Sequence, residues 1–90
     1  RPLAGTGRAR LAEAAYQLGQ LAAARHNYLL LLGDDEFGGQ AAYRNAQILL
    51  HQGERERALS QLEELVEREE HSAWGKLARD LLIQQQRSNF

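Results

Sequence analysis

The chain has 90 residues, enough for one small domain, so we treat residues 1–90 as a single unit. Its formal net charge of −1 gives no reason to expect a nucleic acid or an anionic membrane as its partner. The absence of cysteine excludes disulfides and thiolate chemistry while leaving the compartment open, and no apolar run is long enough for membrane insertion. Alanine, leucine, glutamate, glutamine and arginine dominate, and all of them favour helices.

Helical spacing and turn residues predict five helices after an irregular lead-in at residues 1–6, in which Thr6 would cap the first helix. The predicted helices cover about 7–18, 21–32, 40–52, 54–69 and 73–85. Gly19 and Gly53 end the first and third helices, and Ser72 caps the fifth. The residues expected to face inward are Leu11, Ala12, Ala15 and Leu18, then Tyr28 and Leu31, then Ala42, Ala46 and Leu49, and then Ala58, Leu62, Leu65 and Val66. In the fifth helix, Trp74, Leu77, Ala78 and Leu81 align with Ala42, Asn45, Ala46 and Leu49 of the third.

A fixed period links the two halves of the chain. Gly53 follows Gly19 by 34 residues, and Ala58 follows Ala24 by the same interval. The fifth helix matches the third at an interval of 32 residues, so it opens a third unit that is not completed. A period of this size is typical of stacked helix–turn–helix repeats, which leave a long surface free for binding.

The pattern resembles the tetratricopeptide repeat. The residues that carry the likeness are Ala12, Ala15, Gly19, Leu21, Ala24, Tyr28 and Leu31, then Ala46, Leu49, Gly53, Ala58, Leu62 and Leu65, and finally Trp74, Leu77, Ala78 and Leu81. The resemblance implies an all-α, right-handed α-solenoid with repeats at about 5–38 and 39–70 and a C-terminal capping helix at about 73–85. Two features depart from the family: its repeat-ending proline is absent, and Arg55 replaces an aromatic residue.

In this family the first helix of each unit lines a concave groove, which implies a site for a protein or peptide partner. Three cations, Arg10, Arg44 and Lys76, recur at one repeat position and would form a ladder across that groove. Such a ladder suits an acidic segment or a terminal carboxylate. The full set of expected partner-binding residues is Arg10, Tyr43, Arg44, Gln47, Lys76 and Arg79. The alternative is that these side chains are ordinary solvated surface charges.

A run of leucines ends the second predicted helix. Leu29, Leu30 and Leu32 either lie under neighbouring helices or form a surface for self-association, with a homo-oligomer as the result. The three histidines lie on different predicted elements without metal-ligand spacing, so we expect no metal, no cofactor and no catalytic residue.

We therefore expect a non-catalytic scaffold that binds a protein or peptide partner. Two alternatives stay open: a structural or oligomerisation module, and an accessory domain of a larger cell-envelope export or assembly machine. The second alternative rests on a weaker likeness of residues 62–78 to repeats of bacterial envelope proteins, which favours the periplasm or cell envelope over the cytoplasm.

Overall fold

The computed structural model describes residues 5–87 and confirms an all-α chain. Within that range five helices follow one another without a strand: α1 (Gly5–Gln17), α2 (Leu21–Leu29), α3 (Gly38–His51), α4 (Arg55–Arg68) and α5 (Ala73–Arg87). No helix in the described part of the chain is long and apolar enough to cross a membrane.

The turns that end α1 and α3 have the same geometry. Gly19 and Gly53 have φ angles of 77° and 78°, the left-handed conformation that only glycine adopts without steric cost. In the first turn the Gln20 amide donates to the Ala15 carbonyl at 2.9 Å. In the second, the Glu54 amide donates to the Leu49 carbonyl at 2.8 Å. This six-residue hydrogen bond is the Schellman motif, so both glycines act as predicted.

Two predicted helix boundaries are wrong. Helix α1 begins at Gly5, so Thr6 lies inside the helix and does not cap it. Helix α2 ends at Leu29 and not at Leu32, because the next residues form tighter turns. In these turns the Leu31 amide donates to the Tyr28 carbonyl at 2.9 Å, and the Asp34 carboxylate accepts the amides of Glu36 and Phe37, both at 2.8 Å.

Each helix packs against the next one along the chain, and α5 also reaches α3. The buried side chains form two cores, one between α1, α2 and α3 and one between α3, α4 and α5. Leu32 lies between the cores and packs against both. At the far end, Arg55 donates from Nη2 to the backbone oxygen of Gln85 at 3.0 Å, which ties the start of α4 to the last turns of α5.

The small residues at equivalent positions of the two hairpins are buried alike. The small residues Ala12, Ala24, Ala46 and Ala58 are all fully buried, as predicted for positions where paired helices cross closely. The larger inward residues Tyr28, Leu31, Leu49, Leu62 and Leu65 are buried too, whereas Val66, Trp74 and Leu81 are partly buried. The prediction therefore holds for most of the core.

It is wrong for Leu11 and Leu18, which are exposed by 51% and 73%. Leu77, which the repeat aligns with Asn45, is exposed by 42%. The repeat explains why. Asn45 on α3 occupies the position of Leu11 and Leu77, and it is buried because α3 has packing partners on two of its faces. Helices α1 and α5 pack through only one of these faces, so the same repeat position is left in solvent.

The link between α4 and α5 is unusually tight. A Cβ atom added to Gly75 would lie 1.8 Å from the backbone oxygen of Glu69, so only glycine fits. Ser72 caps α5 as predicted, because its Oγ accepts the Gly75 amide at 3.0 Å. The close approach holds the first turn of α5 against the end of α4.

Candidate interaction surface

A polar cluster joins the first three helices, and Glu13 of α1 is at its centre. The Glu13 carboxylate accepts two hydrogen bonds from Arg44 of α3, one from Nε at 3.0 Å and one from Nη2 at 2.9 Å. It also accepts the hydroxyl of Tyr28 on α2 and, at 2.9 Å, the side-chain amide of Gln17. The two-pronged contact with the guanidinium fixes both distance and orientation, so this cluster sets how the hairpins meet.

The cluster shifts the ionisation of its members. Burial by itself would raise the pKa of Glu13, but the hydrogen bonds from Arg44, Tyr28 and Gln17 outweigh it and lower the pKa to about 2. Burial and the bond to the Glu13 carboxylate raise the pKa of the Tyr28 hydroxyl. Burial opposes the charge of Arg44, but its bonds to Glu13 prevail and raise its pKa. At neutral pH the cluster therefore holds one anion and one cation.

Arg44 is the middle cation of the predicted ladder, and it contacts Gln47 of its own helix and Tyr16 of α1. Its Nη1 donates to Gln47 Oε1 at 2.7 Å, and its guanidinium carbon lies 4.7 Å from the centre of the Tyr16 ring. Two of the predicted partner-binding residues, Arg44 and Gln47, are thus bound to each other, and Arg44 is also bound to Glu13 of α1. A ligand at this point would meet a guanidinium whose charge Glu13 already balances.

The other predicted residues lie outside this cluster. Arg10, Lys76 and Arg79 are exposed, and none of them forms an ion pair with another described residue. Tyr43 is half-buried against Trp74, with ring centres 5.8 Å apart and planes tilted by 42°. Burial raises the pKa of the Tyr43 hydroxyl. The pair joins α3 to α5, while the three cations remain open to solvent.

One repeat position explains why the cations of α5 stay unpaired. Glu13, Gln47 and Arg79 are equivalent in the three units. In the first two units the side chain at this position is a hydrogen-bond acceptor, and both side chains accept hydrogen bonds from Arg44. In the third unit it supplies a second cation beside Lys76. The sequence interpretation missed the role of Glu13, although the recurrence of an acceptor near the ladder was a usable signal.

The leucine run divides in two. Leu29 and Leu30 are exposed by 44% and 57%, while Leu32 is half-buried between the cores. Leu32 thus serves packing, and only the other two face solvent at the end of the first hairpin.

A shallow hollow of about 340 Å³ lies where the α1–α2 turn meets the end of α3, lined by Tyr16, Gln17, Gly19, Leu21 and His51.

The acidic residues of the chain are concentrated elsewhere. Residues 54–70 contain seven glutamates and three arginines. Among residues 5–87 no three histidine or carboxylate side chains are close enough together to hold a metal ion. Comparisons with protein-family models, curated proteins and solved structures give no significant match.

Proposed function

We propose that this chain is a non-catalytic protein–protein interaction scaffold built from tetratricopeptide-like repeats, with its hairpins stacked in a right-handed solenoid. The identical turns at Gly19 and Gly53 and the matching burial of the two hairpins support the repeat. Helices α1, α3 and α5 are the first helices of their units. The contact between α3 and α5 supports an alignment of these helices along one side. These helices would line the binding groove.

The proposed ligand is an acidic segment of a partner protein. The observation that carries this choice is the pair Lys76 and Arg79, one turn apart on α5 and both exposed without a carboxylate partner among the described residues. Arg10 adds a third exposed cation on α1. Tyr43 would contribute an apolar ring with a polar edge between them. Arg44 and Gln47 would shape the floor of the groove, because the Arg44 guanidinium already donates to the Glu13 carboxylate and to Gln47 Oε1.

The proposal assigns no reaction to the chain. Glu13, Tyr28 and Arg44, the groups with shifted pKa values in the main cluster, are bound to one another and hold three helices together. His26, His51 and His71 lie on separate elements. Because Glu13, Tyr28 and Arg44 are hydrogen-bonded to one another, we assign them to packing and not to proton transfer.

The test is a fluorescence-anisotropy titration with a labelled peptide rich in aspartate and glutamate. Lys76→Glu/Arg79→Glu is expected to weaken binding at least about tenfold at low salt, because two attractive contacts become repulsive. The matched control is Arg57→Glu/Arg68→Glu on α4, which makes the same charge change at two exposed positions outside the groove and should keep the affinity of the parent. Equal affinity for the parent and the α5 variant would rule out the groove as the site.

A second candidate function is self-association through Leu29 and Leu30, since both are exposed next to each other. Sedimentation velocity of the parent and of Leu30→Glu separates this candidate from the scaffold. A monomer in both samples at all concentrations would eliminate it.

A further inference from the structure

Helix α1 has an apolar stripe that no described residue covers. Leu11, Ala14 and Leu18 follow one another at intervals of three and four residues, so they lie along one side of the helix. All three are exposed, Leu18 most of all at 73%. Leu18 directly follows the helix and continues its hydrogen bonding, since its amide donates to the Ala14 carbonyl at 3.0 Å. The stripe is distinct from the proposed groove because Glu13, which binds α3, is on the opposite side of α1 from Leu11.

The repeat shows what normally lies on such a stripe. The positions equivalent to Leu11 and Ala14 are Asn45 and Ile48 on α3, and both are buried. Ile48 belongs to the first core, where it packs with residues of α2 that include Tyr28. Ile48 is covered in this way by α2, whereas Asn45 donates from Nδ2 to Gln61 Oε1 of α4 at 2.8 Å, and Gln52, the equivalent of Leu18, is exposed. The register of Ile48 therefore predicts another amphipathic helix over Ala14, and the exposed side chains of Leu11 and Leu18 extend the apolar surface on either side of it.

The charges around the stripe indicate what kind of helix would bind to it. Arg8 and Arg10 flank it, and within residues 5–32 the only acid is Glu13. That carboxylate is already occupied by Arg44, Tyr28 and Gln17. Arg8 donates once to Asn27 at 3.0 Å, and Arg10 is exposed. The cations beside the stripe therefore lack a carboxylate, and a helix with acidic flanks complements them.

We infer that this stripe docks an acidic amphipathic helix of a partner protein, which would cover Leu11, Ala14 and Leu18 as α2 covers Ile48. A second copy of the chain fits poorly. Its acidic helix α4 has its apolar residues Ala58, Leu62 and Leu65 already buried. Two copies of the stripe facing each other would bring the cations Arg8 and Arg10 of both copies together.

The experiment uses a short lactam-stapled peptide as the probe. The peptide presents leucine, alanine, tyrosine and leucine at the spacing of Leu21, Ala24, Tyr28 and Leu31, with glutamate at its outward positions. Its affinity is measured by fluorescence anisotropy for the parent and for Leu11→Glu/Leu18→Glu, whose fold is checked by circular dichroism. We expect the variant to bind roughly tenfold more weakly or worse.

Three controls separate this site from the groove and from unspecific contact. Leu77→Glu removes another exposed leucine, on α5, and it should keep the affinity of the parent. Lys76→Glu/Arg79→Glu should keep it too, because these residues belong to the proposed groove. A peptide with lysine in place of glutamate should bind at least roughly tenfold more weakly.

Several outcomes would overturn the inference. They are the absence of binding to the parent, equal binding by Leu11→Glu/Leu18→Glu, and equal binding of the lysine peptide. Loss of binding only in Lys76→Glu/Arg79→Glu would assign the peptide to the groove, which contradicts this inference and supports the proposed function. Sedimentation that shows a parent dimer, abolished by Leu11→Glu/Leu18→Glu, would identify a second copy as the occupant.

Discussion

Glu13 and Gln47 occupy the same position in successive repeats, and the side chains of both accept hydrogen bonds from Arg44. A single guanidinium therefore connects its own helix to the preceding unit. The arrangement fixes the orientation of the two hairpins relative to each other. The other two cations of the predicted ladder, Arg10 and Lys76, are exposed on α1 and α5.

Removal of the Glu13 carboxylate should weaken the fold. Glu13→Ala leaves Arg44 and Tyr28 without their acceptor, and both side chains are at least half-buried. We expect a loss of about 2 kcal/mol in the free energy of unfolding, reduced from the cost at a fully buried pair because water reaches both partners. Urea denaturation measures the loss. Glu63→Ala on the exposed side of α4 is the control, with a change within about 0.5 kcal/mol.

The same carboxylate should make stability depend on pH in the acid range. The pKa of Glu13 is about 2 in the folded chain against 4.5 in its ordinary state. A lowered pKa means that the contribution is complete above about pH 4.5 and is lost as pH falls toward 2. Partial exposure reduces the contribution to about 2 kcal/mol.

Urea denaturation of Glu13→Gln across the same pH range tests this assignment. Glutamine cannot ionise, so the variant should lose less stability than the parent between neutral and acid pH. Parallel pH profiles for the two proteins would show that other carboxylates cause the acid sensitivity.

Gly75 should tolerate no side chain. A methyl group at Gly75 would collide with the Glu69 carbonyl, which is backbone and cannot turn away. Gly75→Ala is expected to cost at least about 2 kcal/mol, because the start of α5 must move away from α4. Gly33→Ala is the matched control, since no atom lies within 4 Å of the added carbon. Thermal unfolding of the two variants that gave equal midpoints would contradict the close approach.

The two turn glycines should respond alike to substitution. Gly19→Ala and Gly53→Ala each force a side chain into the left-handed conformation at an open site, at a cost of about 1 kcal/mol. Asparagine at either position should cost less, because its short polar side chain tolerates this conformation. Denaturation midpoints of the four variants measure both expectations. A large effect at one glycine and none at the other would argue against equivalent turns.

The sequence predicted most of the fold because its strongest signals are local. Gly19, Gly53 and Ser72 mark helix ends through backbone geometry, and these predictions are confirmed. The end of α2 was misplaced because Leu30, Leu31 and Leu32 continue a helical pattern, whereas the Asp34 carboxylate organises a competing turn. Local patterns carry little information about such competition.

The polar contacts were harder to predict than the core. Arg44 was assigned to a ladder of free cations from its spacing alone, but its partner Glu13 lies 31 residues earlier on another helix. The exposure of Leu11 and Leu18 was missed for a similar reason. Spacing shows which residues share a face, but the neighbouring helices decide whether that face is covered.

The most direct test of the central proposal is a titration of the isotope-labelled chain with the acidic peptide, followed by the NMR shifts of its backbone amides. The proposal predicts that the largest shifts cluster around Tyr43, Lys76 and Arg79, with smaller ones near Arg10, and that they diminish as salt is added. Shifts centred on the outward face of α4, or no shifts at saturating peptide, would contradict the assignment of α1, α3 and α5 as the binding surface.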